Sequence, residues 1–286
     1  MSDIENADMI EPMLYLCATP IGNLADITLR TVETLRRVSA VYCEDTRRTR
    51  ELMTHLDIKK PLIACHEHNE KQRAQEIARR VLAGEAIAFV SDAGMPGISD
   101  PGEALVEGCI AAGAKYTVLP GASAPLTALV MSGLPTKNAC FVGFLPREGK
   151  PRREAIAEIG AHRGTLIFYE SPLRIAATAR ELAALLGDRQ CALVRELTKK
   201  FEQVVRTTLN GLARGYADAP PKGECVLVVA GAAEADENAA DRAEDMAREL
   251  IGRGVSVKDA AKQISALCDI ARNEAYALAG RIKDEE

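Results

Sequence analysis

Tryptophan is absent from this 286-residue chain, and phenylalanine and tyrosine contribute five and six residues. Aromatic platforms on which single-stranded bases could stack are therefore scarce. No apolar run approaches the ~20 residues that a membrane-spanning helix requires. The opening residues, Met1 to Pro12, are acidic and lack the basic-then-apolar pattern of a secretion signal, so a cytoplasmic protein is expected. Eight cysteines stand singly, with no Cys-x-x-Cys pair, and Cys17, Cys191 and Cys225 lie inside apolar runs. Buried reduced thiols explain them better than disulfides or zinc. Two phosphate-binding signatures are also missing, the Gly-x-Gly-x-x-Gly fingerprint after the first strand and the Gly-x-x-x-x-Gly-Lys-Ser/Thr loop. A ligand held by its phosphates is not expected.

What remains is an ordinary globular composition, 47% apolar and 27% charged, with enough chain for about two domains of ~100–200 residues. The net charge of −5 is unevenly spread. Residues 1–13 hold four acids and no base, and residues 232–286 hold 13 acids against 8 bases. Residues 14–231 are mildly basic, with 28 bases and 24 acids, which permits a polyanionic partner without demanding one.

Hydrophobic patterning predicts strands at Met13 to Ala18, Val41 to Cys43, Pro61 to Cys65, Ala86 to Val90 and Tyr116 to Leu119, each followed by a helical pattern. Thr28 is placed to cap the first helix. Such alternation implies a mostly parallel sheet with helices on both faces. Gly133 to Asn138 reads as a boundary. Beyond it, strands are expected at Cys140 to Phe144, Thr165 to Tyr169, Cys191 to Val194, Gln203 to Thr208 and Cys225 to Val229. The last two look like an antiparallel pair, giving a smaller domain with a mixed sheet. An acidic, Ala-rich linker after Gly231 leads to helical patterns at 241–252, 256–267 and 271–283. Three regions result: an N-terminal α/β domain at 13–133, a C-terminal α/β domain at 139–231 and a helical extension at 238–286.

In the first half every strand that feeds a helix ends in a polar or Gly/Pro-rich loop. The longest, Ser91-Asp92-Ala93-Gly94-Met95-Pro96-Gly97-Ile98-Ser99-Asp100-Pro101-Gly102, holds three glycines and two prolines. All five loops would gather at the carboxyl edge of the sheet, where open α/β folds bind ligands.

Taken with Thr19 to Leu24, Cys43 to Arg47, His66 to Glu70, Ser132 to Pro135, Gly143 to Pro146, Tyr169 to Pro172 and Leu197 to Lys199, that loop resembles a known family. The motifs, in order over residues 13–231, are similar to those of the ribosomal RNA small subunit methyltransferase I family of the tetrapyrrole methylase superfamily. That family would have proline at position 122 and histidine at 173, where this chain has Ala122 and Leu173. The resemblance implies a two-domain class III methyltransferase fold with S-adenosylmethionine in the cleft between the domains, within a homodimer. It also implies methylation of the ribose 2′-hydroxyl of a decoding-centre cytidine in 16S rRNA, on the small ribosomal subunit. Carried over motif by motif, cofactor contacts fall on Pro20, Ser91, Asp92, Ile98, Ser123, Ala124, Glu170 and Leu197.

A ribose hydroxyl needs a proton acceptor within ~3 Å. The candidates are Glu44 and Asp45, with His66 and His68 as alternatives. Asp45 is favoured because Arg47 could hold it in place, although Asp45-Thr46 could equally cap the next helix. The histidines lack a third or fourth ligand nearby, so no metal is expected. RNA contacts are expected among Arg47, Arg48, Arg50, His66, His68, Arg147, Lys150, Arg152, Arg153, Arg174, Lys199 and Lys200. The C-terminal helices, with starts near Gly254-Val255-Ser256 and a turn near Cys268-Asp269, faintly suggest a helix-turn-helix. Their negative charge favours a folding or docking role. A porphyrin-like substrate on the same fold, or a non-enzymatic binding module, are the competing readings.

Overall fold

Among the described residues there are ten strands and eleven α-helices, and the first half follows the strand–helix alternation expected from the sequence. The computed structural model describes residues 10–233, 239–268 and 272–285. In the first sheet, β1 (Leu14–Cys17), β2 (Ala40–Cys43), β3 (Leu62–Ala64), β4 (Ile87–Val90) and β5 (Tyr116–Leu119) are all parallel, in the order β3-β2-β4-β1-β5. The period of two along each strand sends alternate residues to opposite faces. Leu14, Leu16, Ile87 and Phe89 meet α3 (Glu70–Leu82) and α4 (Glu103–Ala112). Tyr15, Cys17, Ala88 and Val90 face the other way, toward α1 (Leu29–Arg37) and α2 (Thr46–His55). Thr28 does cap α1, accepting from the Thr31 amide at 3.1 Å.

A second sheet combines β6 (Cys140–Phe144), β7 (Leu166–Glu170), β8 (Gln190–Arg195), β9 (Gln203–Thr208) and β10 (Cys225–Val229) in the order β6-β7-β10-β8-β9. β6 and β7 run parallel and the other pairings are antiparallel, so the sheet is mixed. The expected β9–β10 pair does not form. β8 lies between them and is antiparallel to both. Every residue of β10 is buried, as befits a central strand. One face carries α6 (Gly149–Ile159), α7 (Ile175–Leu186) and α8 (Leu209–Gly215), the last unforeseen in the sequence.

The other face of the second sheet is covered by α5 (Ala124–Ser132), whose Ala128 and Leu129 pack with Ile167, Val194, Val226 and Val228. Arg206 of β9 donates to the carbonyls of Met131 and Ser132, satisfying the end of α5. The helix that follows β5 in sequence thus belongs by packing to the second sheet, and residues up to Ala232 form one compact unit.

The described residues from Ala233 onward form a separate unit. Helices α9 (Ala239–Gly252), α10 (Val257–Cys268) and α11 (Arg272–Glu285) pack through small side chains, among them Ala243, Ala247, Ala260, Ala261, Ala275 and Ala279. Ser256 caps α10 by accepting from the Asp259 amide. The turn expected near Cys268-Asp269 and most of the acidic linker lie outside the described residues, as do the first nine. Among the described residues, no helix is long and apolar enough to cross a membrane. Seven cysteines are buried and Cys140 is partly so.

Candidate functional site

A cavity of about 390 Å³ opens at the carboxyl edge of the first sheet, closed on its far side by the second. Three of the five expected loops reach it, those after β1, β4 and β5. These strands lie side by side, whereas β2 and β3 stand farther out, so their loops miss the cavity. The loops after β1 and β4 are stitched by paired amide bonds between Thr19 and Gly94, at 2.9 and 3.0 Å.

The long loop after β4 ends at Gly102, which starts α4 with φ +146° and offers no side chain to cap it. Any Cβ there would meet the Gly97 amide nitrogen at 2.7 Å. Glu70 supplies the cap from α3, its Oε1 accepting from the amides of Gly102 at 2.6 Å and Ala104 at 3.2 Å. Asn69 Oδ1 accepts from the His66 amide at 2.9 Å. The His66-to-Glu70 motif therefore builds the cavity wall without touching the cavity. His66 and His68 are exposed, their rings edge to face at 5.9 Å. Nothing in the local sequence identified Glu70 as a remote cap.

The second sheet contributes Phe144, Tyr169 and Glu170. The two rings lie 5.3 Å apart, and Phe144 is exposed despite its size. Glu170 is buried and fully engaged. Its Oε1 accepts from the Ser171 amide at 2.8 Å with Arg174 Nε at 3.6 Å, and its Oε2 accepts from the Thr178 hydroxyl at 2.6 Å. Arg152, expected in a basic loop facing RNA, is instead a buried residue of α6. It donates to Glu181, Thr178 and the Pro146 carbonyl. Lys150 and Arg153 share that helix but remain exposed. Arg147 and Arg174 border a second, smaller cavity of about 220 Å³.

Between β8 and β9, Leu197 lines the main cavity, flanked by two non-glycine residues with left-handed backbones, Glu196 at φ +53° and Thr198 at φ +62°. Such conformations persist where surrounding contacts enforce them. Lys199 bridges Glu196 at 2.9 Å and Glu224 at 3.0 Å, and the Thr198 amide donates to Glu202 at 2.7 Å. Lys199 is thus held by two carboxylates, not presented to solvent as a phosphate contact.

An acidic corner adjoins the cavity. Asp45 caps α2, accepting from the Arg47 amide at 2.8 Å, and its carboxylate also takes Arg47 Nε and an Arg47 guanidinium nitrogen. These bonds pull the Asp45 carboxyl down to about 2. So engaged, it is a weak proton acceptor near neutrality. Asp92 accepts from the Asp45 amide at 3.1 Å and pairs with Arg48 at 3.2 Å. Glu44 has its carboxyl pushed up, first by burial and then by Asp92. Arg47 and Arg48 remain largely exposed, at 84% and 66% of their side-chain surface.

Of the expected cofactor contacts, Ile98, Ser123, Ala124, Glu170 and Leu197 line the cavity. Pro20, Ser91 and Asp92 do not line it, but come just before the lining residues Ile21 and Ala93 in sequence. Three buried side-chain polar atoms among the described residues lack a partner, Glu44 Oε2, Ser91 Oγ and Thr198 Oγ1. All three sit in loops that border the cavity or its acidic corner. Buried polar groups are ordinarily satisfied, so these three are exceptions in the loops next to the lining.

Residues 13–213 match the family model for tetrapyrrole (corrin/porphyrin) methylases. The ribosomal RNA small subunit methyltransferase I proteins of Halalkalibacterium halodurans and Synechocystis are each 41% identical to this chain. The matches cover 92% and 93% of it, and 93% and 96% of those relatives. The fold also matches Thermus thermophilus uroporphyrin-III C-methyl transferase complexed with S-adenyl homocysteine. The TM-score is 0.54 at 21% identity, over 76% of this chain and 97% of that one. On sequence and fold together, the chain belongs to the tetrapyrrole methylase family and, within it, to the ribosomal RNA small subunit methyltransferase I group.

Proposed function

We propose that this chain transfers a methyl group from S-adenosylmethionine to the ribose 2′-hydroxyl of a decoding-centre cytidine in 16S rRNA. Its setting in this reading is the cytoplasm, as a homodimer acting on the small ribosomal subunit. The observation that carries the cofactor half is the cavity itself, lined by Ile98, Ser123, Ala124, Glu170 and Leu197. Its volume falls in the range of small-molecule sites, ~300–1,000 Å³. An adenosine bearing a methionine arm has both the apolar bulk for Ile98, Ala124 and Leu197 and polar groups to match Ser99, Ser123 and Ser171 of the lining. When bound, the cofactor supplies an electrophilic methyl on a sulfonium sulfur. The chain's own task is to hold that group in line with the nucleophile and to receive the hydroxyl proton.

The names of the relatives support an rRNA substrate. Exposed Arg47, Arg48 and Arg147 border the site on both sides and suit phosphate contacts, and Phe144 offers a ring at the cavity mouth for a base. For the homodimer, Tyr116 and Val118 on the edge strand β5 adjoin Leu126 and Val130 of α5 in sequence order, and all four expose apolar surface. The alternative is a tetrapyrrole substrate, which the same fold accommodates.

Calorimetry with S-adenosylmethionine tests the cofactor, and methyl transfer to small-subunit particles against uroporphyrinogen tests the substrate. We expect binding, and labelling of the rRNA at a ribose oxygen. Absence of cofactor binding, or labelling of the tetrapyrrole alone, would overturn the reading.

A further inference from the structure

We propose that the smaller cavity seats one backbone phosphate of the rRNA strand, held by Arg147 and Arg174, a contact that rests on the rRNA reading above. The lining points to an anion. Three arginines, two glutamates and Thr178 surround about 220 Å³, and Ala177 is the single apolar side chain among the lining residues. No aromatic ring lines the space, so a base or an adenosine would find nothing there to stack on.

The charges of the lining are unequally committed. Arg152 donates to Glu181 at 2.5 Å, to Thr178 at 2.8 Å and to the Pro146 carbonyl at 3.0 Å. Glu181 is thereby neutralised, and Arg152 has little left for a ligand. Arg174 donates through one terminal nitrogen to the Arg147 carbonyl at 3.2 Å, and its Nε lies 3.6 Å from Glu170. Its other terminal nitrogen, Nη1, has no partner among the described residues. Arg147 is exposed, and among the described residues its guanidinium makes no hydrogen bond or ion pair. Glu148, the remaining carboxylate of the lining, is exposed to solvent, where water and salt screen it.

The loop that carries Arg147 is clamped by its backbone. Arg152 of α6 takes the Pro146 carbonyl, and Arg174, just before α7, takes the next one, that of Arg147. The clamp uses two consecutive acceptors of the loop and leaves its one cation free. A planar guanidinium fork suits two oxygens of one phosphate. The position ties that phosphate to the substrate strand. Phe144 lines the methyl-transfer cavity while Arg147, three residues on, lines the smaller one. Glu170 and Arg174, four residues apart, are divided in the same way. A strand whose ribose enters the larger cavity therefore carries a neighbouring phosphate past the smaller. Such a seat fixes the register of the strand without reading its sequence, while the ribose stands in line with the methyl group.

Filter binding of the cofactor-free protein to small-subunit particles across a salt series tests this, with Arg147→Ala, Arg174→Ala and the double variant. Leaving out the cofactor keeps any disturbance of Glu170 from reaching the readout through cofactor binding. Each single change should weaken binding about tenfold, as loss of a charge-assisted hydrogen bond does. Because the two side chains share one phosphate, the double variant should fall short of the ~100-fold loss that independent contacts give. The slope of log affinity against log salt should drop by about one in Arg147→Ala and no further in the double variant. Unchanged binding in Arg147→Ala removes the seat. So do additive losses with a slope lowered by about two, which place the arginines on separate phosphates. Inorganic phosphate, set against chloride at equal ionic strength, should compete with the particles little better than chloride. Strong competition that Arg147→Ala abolishes assigns the cavity to the free ion and overturns the proposal. A wild type that binds no particles, or leaves their rRNA unmethylated once cofactor is added, removes the functional reading and this proposal with it.

Discussion

The guanidinium of Arg152 and the carboxylate of Glu170 are joined through one hydroxyl: Arg152 donates to Thr178 Oγ1 at 2.8 Å, and Thr178 donates onward to Glu170 at 2.6 Å. With side-chain exposures of 6% and 2%, both charges depend on each other and on Glu181 rather than on water. Removing one partner of such a buried pair strands the other, at a cost of roughly 3–5 kcal/mol. Arg152→Met should lower stability by about that amount in urea and weaken cofactor binding through Glu170. It should leave the salt dependence of RNA binding unchanged. Arg152→Lys should rescue little, because a single ammonium cannot reproduce the forked contacts.

The strained Leu197 segment is held by the Lys199 bridge, and Gly223 leaves room for it. Gly223 has φ +88°, and a Cβ there would lie 2.0 Å from Glu196 Oε1. Gly223→Ala should cost ~1–3 kcal/mol in thermal unfolding from backbone strain, with further loss from displacing Glu196. Calorimetry should show weaker S-adenosylmethionine binding, because Glu196 anchors the wall that carries Leu197. Lys199→Met should weaken cofactor binding too, in contrast to the behaviour of a phosphate contact.

Glu70 holds the cavity loop from a distance of 32 residues in sequence. Glu70→Ala should destabilise by roughly 0.5–2 kcal/mol, as loss of a helix cap does. Amide exchange should rise across residues 97–104 well before the rest of the first sheet responds. Unchanged exchange in that loop would show that the contact does not hold it.

Arg47 serves Asp45 and is positioned for RNA at the same time. Arg47→Ala and Arg147→Ala should each reduce the slope of log affinity against log salt by about one. Loss of Arg47 also returns the Asp45 carboxyl toward its ordinary value. Because that value is now lowered to about 2, the ionised cap stabilises the fold above pH 3.8 and is lost only as pH falls through about 2. In Arg47→Ala, acid unfolding should therefore set in at higher pH.

The unbroken apolar runs of β1, β2 and β4 made the parallel sheet legible, because each strand is buried on both faces and sends two sets of side chains to two helical layers. The β9–β10 pairing misled because local alternation reports exposure, while strand order is decided by which strand fills the centre, and the fully buried β10 took that place. The loops were recognisable as a set, yet strand order, not loop composition, decided that those after β2 and β3 would miss the cavity. Arg152 read as a surface cation because nothing beside it in sequence announces Thr178 or Glu181, 26 and 29 residues on.

The buried cysteines turn the protein into its own unfolding probe. Cys17, Cys43, Cys65 and Cys109 sit in the layers of the first sheet, Cys191 and Cys225 in the second, and Cys268 in the helical unit. Burial pushes Cys17, Cys65 and Cys191 up to about 12, so alkylation at neutral pH must await local opening. Timed labelling with mass readout should therefore rank the regions by opening free energy. S-adenosylmethionine, if it bridges the two sheets as proposed, should slow labelling at Cys17 and Cys225 together while Cys268 keeps its own clock.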